Sequence, residues 1–177
     1  LLRDLFAESI AKVAAIMDEK NPDLENKEKI SEEVGVGAIV FYYLSNNRIR
    51  DINFMMEDAL SFDGNTGPYA QYTYARTCSI LAKAAEAGIE PVGGTCPHES
   101  EAALLKTLSR FPEIVANAIE EYEPSVITRY VIDVCTAFNR FYRDCPILTA
   151  EEEEQRRFRV RLTRAAKTVL GTALHLI

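Results

Sequence analysis

The 177-residue chain has no tryptophan, two histidines and four cysteines, and each shortage closes off a class of function. His98 and His175 lie far apart in sequence, and no constellation of nucleophile, base and acid accompanies either, so no catalytic residue is expected. Cys78, Cys96, Cys135 and Cys145 are 18, 39 and 10 residues apart with no C-x-x-C pair. That spacing suggests neither a zinc site nor a redox motif, and reduced thiols of a cytoplasmic protein are the simplest account. Cys96 with His98 is a half-site at most, too little for a tetrahedral centre, so no metal is expected. No run reaches the roughly eighteen apolar residues of a membrane span, and no basic-then-apolar leader opens the chain. An initiator methionine is missing too. The chain opens Leu-Leu-Arg-Asp-Leu-Phe, already inside a helical pattern, which reads as a piece of a longer protein.

Net positive charge is also lacking. Against 27 Asp and Glu stand 20 Lys and Arg, a net charge of −7, the wrong sign for a protein that grips phosphates. The deficit is uneven: residues 1–64 hold 7 cations and 13 carboxylates, and the rest hold 13 and 14. From residue 155 onward there are six cations and no carboxylate. Arg157, Arg161 and Arg164, flanked by Arg156 and Lys167, share one helix face there, and Phe158, Leu162, Ala165, Val169 and Ala173 share the other. A solvated face is the plain reading of such a stripe. Five cations without local acidic partners tilt it toward phosphate contact.

What is present is ordinary globular composition, 47% apolar and 27% charged, with helical periodicity nearly throughout. Leu2, Leu5, Phe6, Ile10, Val13, Ile16 and Met17 recur at spacings of three and four until Asn21-Pro22 ends the pattern. A second apolar pattern runs from Lys27 to about Tyr43, and its β-branched Val-Gly-Val-Gly-Ala-Ile-Val leaves helix and strand both open on pattern alone. Arg50 to Phe54 reads as a short extended piece and Met55 to Phe62 as a short helix. After the Asp63-Gly64-Asn65 turn, Pro68 opens a helix that Gly88 stops, with Ala70, Tyr74, Cys78, Leu81 and Ala85 as its expected buried side. Pro97 is expected to open a helix to about Arg110, Phe111-Pro112 the next, and Pro124 another. On that last one Ile127, Tyr130, Val131, Val134, Phe138, Phe141 and Tyr142 form a broad core-facing stripe. Thr149-Ala150-Glu151-Glu152 reads as a capping box for the final helix, and Glu151 to Glu154 as compensation of its dipole. The expected fold class is an all-α helical bundle.

The stretch from Asp63 to Lys83 is the most informative. On the Pro68 helix, Tyr69, Tyr72, Arg76 and Lys83 fall within about 60° of one another, away from the expected core side. A ring beside a guanidinium suits an unstacked base, which needs one to stack on and the other to pair with. On spacing alone, half-buried tyrosines and a solvated arginine are the simpler reading. The residues themselves carry more. GNTGPYAQYTYAR, residues 64–76, resembles the G-[DN]-T-[AG]-P-Y-x-Q-Y-x-x-[AS]-R stretch of arginyl-tRNA synthetases, where the catalytic domain hands over to a helical anticodon-binding domain of the DALR type. VGVGAIVFYYLSNNR upstream, and SRFPEIV through EPSVITRYVIDVCTAFNRFYRDCPIL downstream, resemble the same family in the same order.

The resemblance implies a helical appendage from the end of the catalytic half over residues 1–63 and an anticodon-binding bundle over 64–177. The same resemblance implies a helix from Lys27 to about Tyr43, in which Gly35 and Gly37 would let two helices approach closely. It implies a non-catalytic part of a class I arginine–tRNA ligase, which joins arginine to tRNA for protein synthesis using ATP and Mg. The implied partners are tRNA(Arg) and the catalytic half of the same polypeptide. Anticodon-contacting roles carry over to Tyr69, Tyr72, Arg76, Phe138, Asn139 and Tyr142, although the spacing leaves Phe138 and Tyr142 equally readable as core. Every arginine codon has G in the middle, so the middle anticodon base to be read is cytosine. Lys83, Arg157, Arg161 and Arg164 are the phosphate-contact candidates. The H-x-G-H and K-M-S-K-S-type motifs by which the family binds ATP do not occur in the chain, so no cofactor is expected on it. The family typically continues past LGTALHLI with a short tail bordering the anticodon pocket. A helical protein-interaction module with no nucleic-acid role, presenting the Pro68 helix or a face of the appendage to a protein partner, is the rival reading from another class.

Overall fold

The computed structural model describes residues 2–95 and 98–177, and all regular structure among them is helical. The elements are α1 (Leu2–Lys20), α2 (Lys27–Leu44), α3 (Met56–Ala59), α4 (Gly67–Glu86), α5 (Glu99–Ser109), α6 (Phe111–Glu121), α7 (Ser125–Asp144) and α8 (Glu153–His175). They form two compact units, residues 1–71 and 72–177, so the division falls inside α4.

In the first unit α1 packs on α2 around Val13, Ala38, Ile39, Met56, Ala59 and Leu60. The close approach expected of the small residues is real at Gly35: a Cβ there would sit 3.0 Å from the Ile10 backbone. Ser9, fully buried, donates its hydroxyl to the Gly35 carbonyl at 2.9 Å, so the contact is closed by a hydrogen bond. Residues 51–55 carry no regular structure, and the short helix after them is a single turn. No strand ladder forms at Arg50 to Phe54: Tyr42 donates to the Asn53 carbonyl, and the Tyr43 and Phe54 rings stack at 5.6 Å, which holds the segment by side chains instead.

In the second unit α7 is the central helix, packed on by α5, α6 and α8. Of its expected stripe, Ile127, Tyr130, Val131, Val134, Phe138 and Phe141 are buried, and Tyr142 alone is exposed. Tyr130 reaches across to α5 and donates its hydroxyl to the Thr107 carbonyl at 3.0 Å. α4 stops as expected at Gly88, in the left-handed region with φ +66°, where the amides of Gly88 and Ile89 return to the carbonyls of Ala85 and Ala84.

Two helices bury a face rotated from the expected one. On α4 the buried residues are Ala70, Thr73, Thr77, Ile80 and Ala84, whereas Tyr74, Cys78 and Leu81 are only half-buried and Ala85 is exposed. On α8 they are Arg159, Val160, Leu162, Thr163, Ala166, Leu170 and Ala173. Threonine makes the difference, because a hydroxyl that bonds its own helix turns only a methyl outward. Thr77 donates to the Tyr74 carbonyl at 2.6 Å and Thr163 to the Arg159 carbonyl at 2.8 Å.

The capping box is also elsewhere. α8 begins at Glu153 with Glu152 as its N-cap and no side-chain cap bond, so Thr149 does not start it. Instead His98 caps α5: its Nδ1 accepts from the Ser100 amide at 3.1 Å, and Glu101 Oε2 accepts from the His98 amide at 3.0 Å. Pro97, expected to open this helix, and Cys96 lie outside the described residues.

Candidate nucleic-acid interface

Arg76 is the centre of the site. Projecting from α4, its guanidinium carbon lies 4.8 Å from the centroid of the Tyr72 ring, one turn earlier, and 4.9 Å from that of Tyr142 on α7. Both distances are within cation–π range, so the guanidinium stands against two aromatic rings. Its Nη1 donates to Asn139 Oδ1 at 2.5 Å and its Nη2 to the Tyr72 hydroxyl at 3.2 Å. Asn139 in turn donates from Nδ2 to the Thr73 hydroxyl at 3.2 Å, which fixes the amide orientation with its carbonyl toward Arg76. A planar fork is thus oriented by an amide and two rings, with N–H groups remaining to be satisfied.

Around it opens a groove of about 770 Å³ whose lining includes Tyr72, Arg76, Ser79, Lys83, Tyr142 and Arg143. Its remaining wall is the irregular segment from Pro146 to Thr149 between α7 and α8. Tyr72 and Tyr142 are 55% and 45% exposed, enough for a flat ligand to reach them. Arg143 Nε donates to Asp144 Oδ1 at 2.9 Å. The Ser100 hydroxyl, first, and then Arg143 hold the Asp144 carboxyl below its ordinary range, so that carboxylate stays charged beside the groove and offsets part of Arg143.

The structure brings Tyr72, Arg76, Asn139 and Tyr142 together, with Lys83 on the same groove. The other two anticodon candidates are not among the residues that line that groove. Phe138 has no exposed surface and packs on Phe141 at 6.0 Å, because it faces the α7 core stripe, so Phe138 is core, whereas Tyr142 is exposed and lines the groove. Tyr69 is half-buried and belongs to the first unit. The basic stripe divides as well. Arg157 is not without an acidic partner, since it pairs with Glu153 one turn back at 2.7 Å, and Arg156 donates to the carbonyls of Ala150 and Glu151. Arg161 and Arg164 are exposed, and Arg164 lines a second groove, of about 580 Å³, with Lys167 and Tyr74.

Arg143 and the Pro146–Thr149 wall escaped the sequence reading. Arg143 directly follows Tyr142 on an exposed helix end, which is the only local signal, and no periodicity reports an irregular wall. No group of three or more His, Cys, Asp or Glu side chains is gathered among the described residues. Among the described residues no helix is long and apolar enough to cross a membrane.

Comparison with known proteins bears on family and fold. Residues 70–177 match the DALR anticodon binding domain model, and residues 1–56 match the model of the tRNA synthetases class I (R) catalytic domain. The chain is 43% identical over its whole length to an arginine–tRNA ligase of Alkaliphilus metalliredigens, and 47% identical over 99% of its length to one of Clostridium acetobutylicum. It spans 31% of the length of each. Among solved structures, 98% of it superposes on 30% of Thermus thermophilus arginyl-tRNA synthetase with a TM-score of 0.88 and 35% identity. An arginyl-tRNA synthetase of Plasmodium falciparum shares the fold, with a TM-score of 0.86 over 99% of this chain and 32% of that one at 23% identity.

Proposed function

This chain belongs to the DALR anticodon-binding domain family, and from that premise we propose that its α4–α7 groove reads the middle base of the anticodon of tRNA(Arg). The observation that carries the reading is Arg76, held between Tyr72 and Tyr142 and aimed by Asn139. Cytosine offers acceptors at O2 and N3 and an amino donor at N4. The Arg76 fork supplies donors to the first two, the Asn139 carbonyl an acceptor to the third, and a tyrosine ring the stacking face. Lys83, Arg161 and Arg164 contribute phosphate contacts; Arg157, already paired with Glu153, contributes less. Phe138, buried in the core stripe of α7, offers the groove no exposed surface, and Tyr69, one turn before Tyr72 on α4, is a further contact to tRNA outside the groove lining.

On this reading residues 64–177 are the anticodon-binding bundle and residues 1–63 the end of a catalytic half. Together they serve a cytoplasmic arginine–tRNA ligase that attaches arginine to tRNA. ATP and Mg act in the catalytic half, and none of the residues described above takes part in that chemistry.

The test is binding of the chain to an anticodon stem-loop of tRNA(Arg) and to one with the middle cytosine replaced, each at two salt concentrations. Arg76→Ala is expected to lose discrimination at that base, by about 1–3 kcal/mol. Arg161→Gln is expected to weaken both stem-loops alike and to lower the salt slope by about one. Equal effects of the two substitutions would overturn the assignment of roles. Binding indifferent to both salt and base would favour a protein-interaction surface.

A further inference from the structure

The second unit contains a buried ion pair that the groove does not touch. Arg159 Nε donates to Glu101 Oε1 at 2.6 Å, with the two side chains 8% and 0% exposed. Such a pair contributes little net stability, because taking both charges out of water costs about as much as their attraction returns. Its geometry is more telling than its charge. The Arg159 Nη1 donates to the Pro146 carbonyl at 2.8 Å, the first residue of the irregular groove wall. Glu101, by its other oxygen, accepts from the His98 amide and so is fixed to the start of α5. Within the wall Ile147 is buried, while Pro146 and Thr149 are exposed and Leu148 half-buried. A rigid bracket therefore runs from the α5 cap through Glu101 and Arg159 to the backbone of a segment with no ladder of its own.

We propose that Arg159, oriented by Glu101, is a positioning residue for base discrimination: it sets the distance between the Pro146–Thr149 wall and the Tyr72–Arg76–Tyr142 cluster. The inference rests on the groove reading given above. A groove that reads one base needs its far wall held to within a fraction of an ångström, and an unsupported loop does not provide that. Arg159 touches no ligand itself, since it is buried, and contributes no phosphate contact.

The experiment uses the full chain and the same pair of stem-loops. Glu101→Gln with Arg159→Met removes both charges together, so no buried charge is left unpaired, and the glutamine still accepts from the His98 amide. The expected result is a fall of about tenfold in the ratio of the two affinities, with the salt slope and the unfolding midpoint close to the parent's. Arg159→Lys, which keeps the charge but has no planar fork to bridge Glu101 and Pro146, is expected to lose discrimination likewise. An unchanged ratio in a folded double variant would overturn the proposal while leaving the groove reading intact. A parent chain that does not discriminate would instead overturn the groove reading, and this inference with it. If neither variant holds its fold, the pair is a folding element and the positioning role falls.

Discussion

Tyr122 ends α6 in the conformation that Gly88 adopts after α4, with φ +50° against +66°. The hydrogen bonding is the same at both: the Tyr122 and Glu123 amides return to the carbonyls of Ile119 and Ala118, as those of Gly88 and Ile89 do on α4. A tyrosine in the left-handed region carries a Cβ penalty that glycine avoids, and at 80% exposure its ring gains little from burial. Tyr122→Gly is therefore expected to stabilise the chain by about 0.5–1 kcal/mol, after the added freedom of glycine in the unfolded state is subtracted. Chemical denaturation of the two proteins checks it. Sequence anticipated Gly88 because glycine announces the stop; the matching stop at Tyr122 carries no such signal. The same contrast holds within the groove. The stripe of Tyr72, Arg76 and Lys83 was legible from their spacing and their resemblance, whereas the hydrogen bond from Arg76 to Asn139, 63 residues away, depends on how α4 meets α7.

At the scale of the helices, nearly all were legible because apolar residues recur at spacings of three and four, and proline and glycine mark their ends. Their orientation about the long axis was less so. Counting threonine as polar turned the expected faces of α4 and α8 away from the ones that pack, although Thr73, Thr77 and Thr163 are fully buried. Arg159 misled in the same way, since its partner lies 58 residues earlier. Where the helix contact was read correctly, at Gly35, it makes a sharp prediction. The valine of Gly35→Val would press on the Ile10 backbone, which cannot swing aside, at a cost of about 1–3 kcal/mol. Gly37→Ala instead meets the Gln71 side-chain amide, a movable group, and is expected to cost less. Urea unfolding of the two variants orders them.

For the whole molecule, stability should depend on pH from both sides. Burial pushes the Cys135 thiol from about 9 up to about 12, and the Tyr130 phenol is likewise pushed up to about 12, chiefly by burial. A group whose folded pKa is raised contributes stability that is complete below its unfolded value and lost as pH climbs to the folded one. The unfolding free energy measured in urea is thus expected to fall above pH 9, by up to about 1.4 kcal/mol per pH unit from Cys135 alone, and Cys135→Ala should remove that part of the slope. The lowered Asp144 acts oppositely, contributing stability above its ordinary range that is lost as acid protonates it.

Arg76 between its two tyrosines is also the groove's resident competitor. The ring surfaces that a base would seek are covered by a guanidinium whose contacts are worth about 0.5–1 kcal/mol each at an exposed site. Any single strand could stack on bare tyrosines, because every base has a flat face. On the proposed reading a base reaches those rings only beside this cation, and only one with acceptors for the N–H groups that Arg76 leaves unsatisfied adds hydrogen bonds to the stacking. The resting arginine, on that reading, in this way masks the rings against indifferent nucleic acid, and the masking is itself a threshold of selectivity.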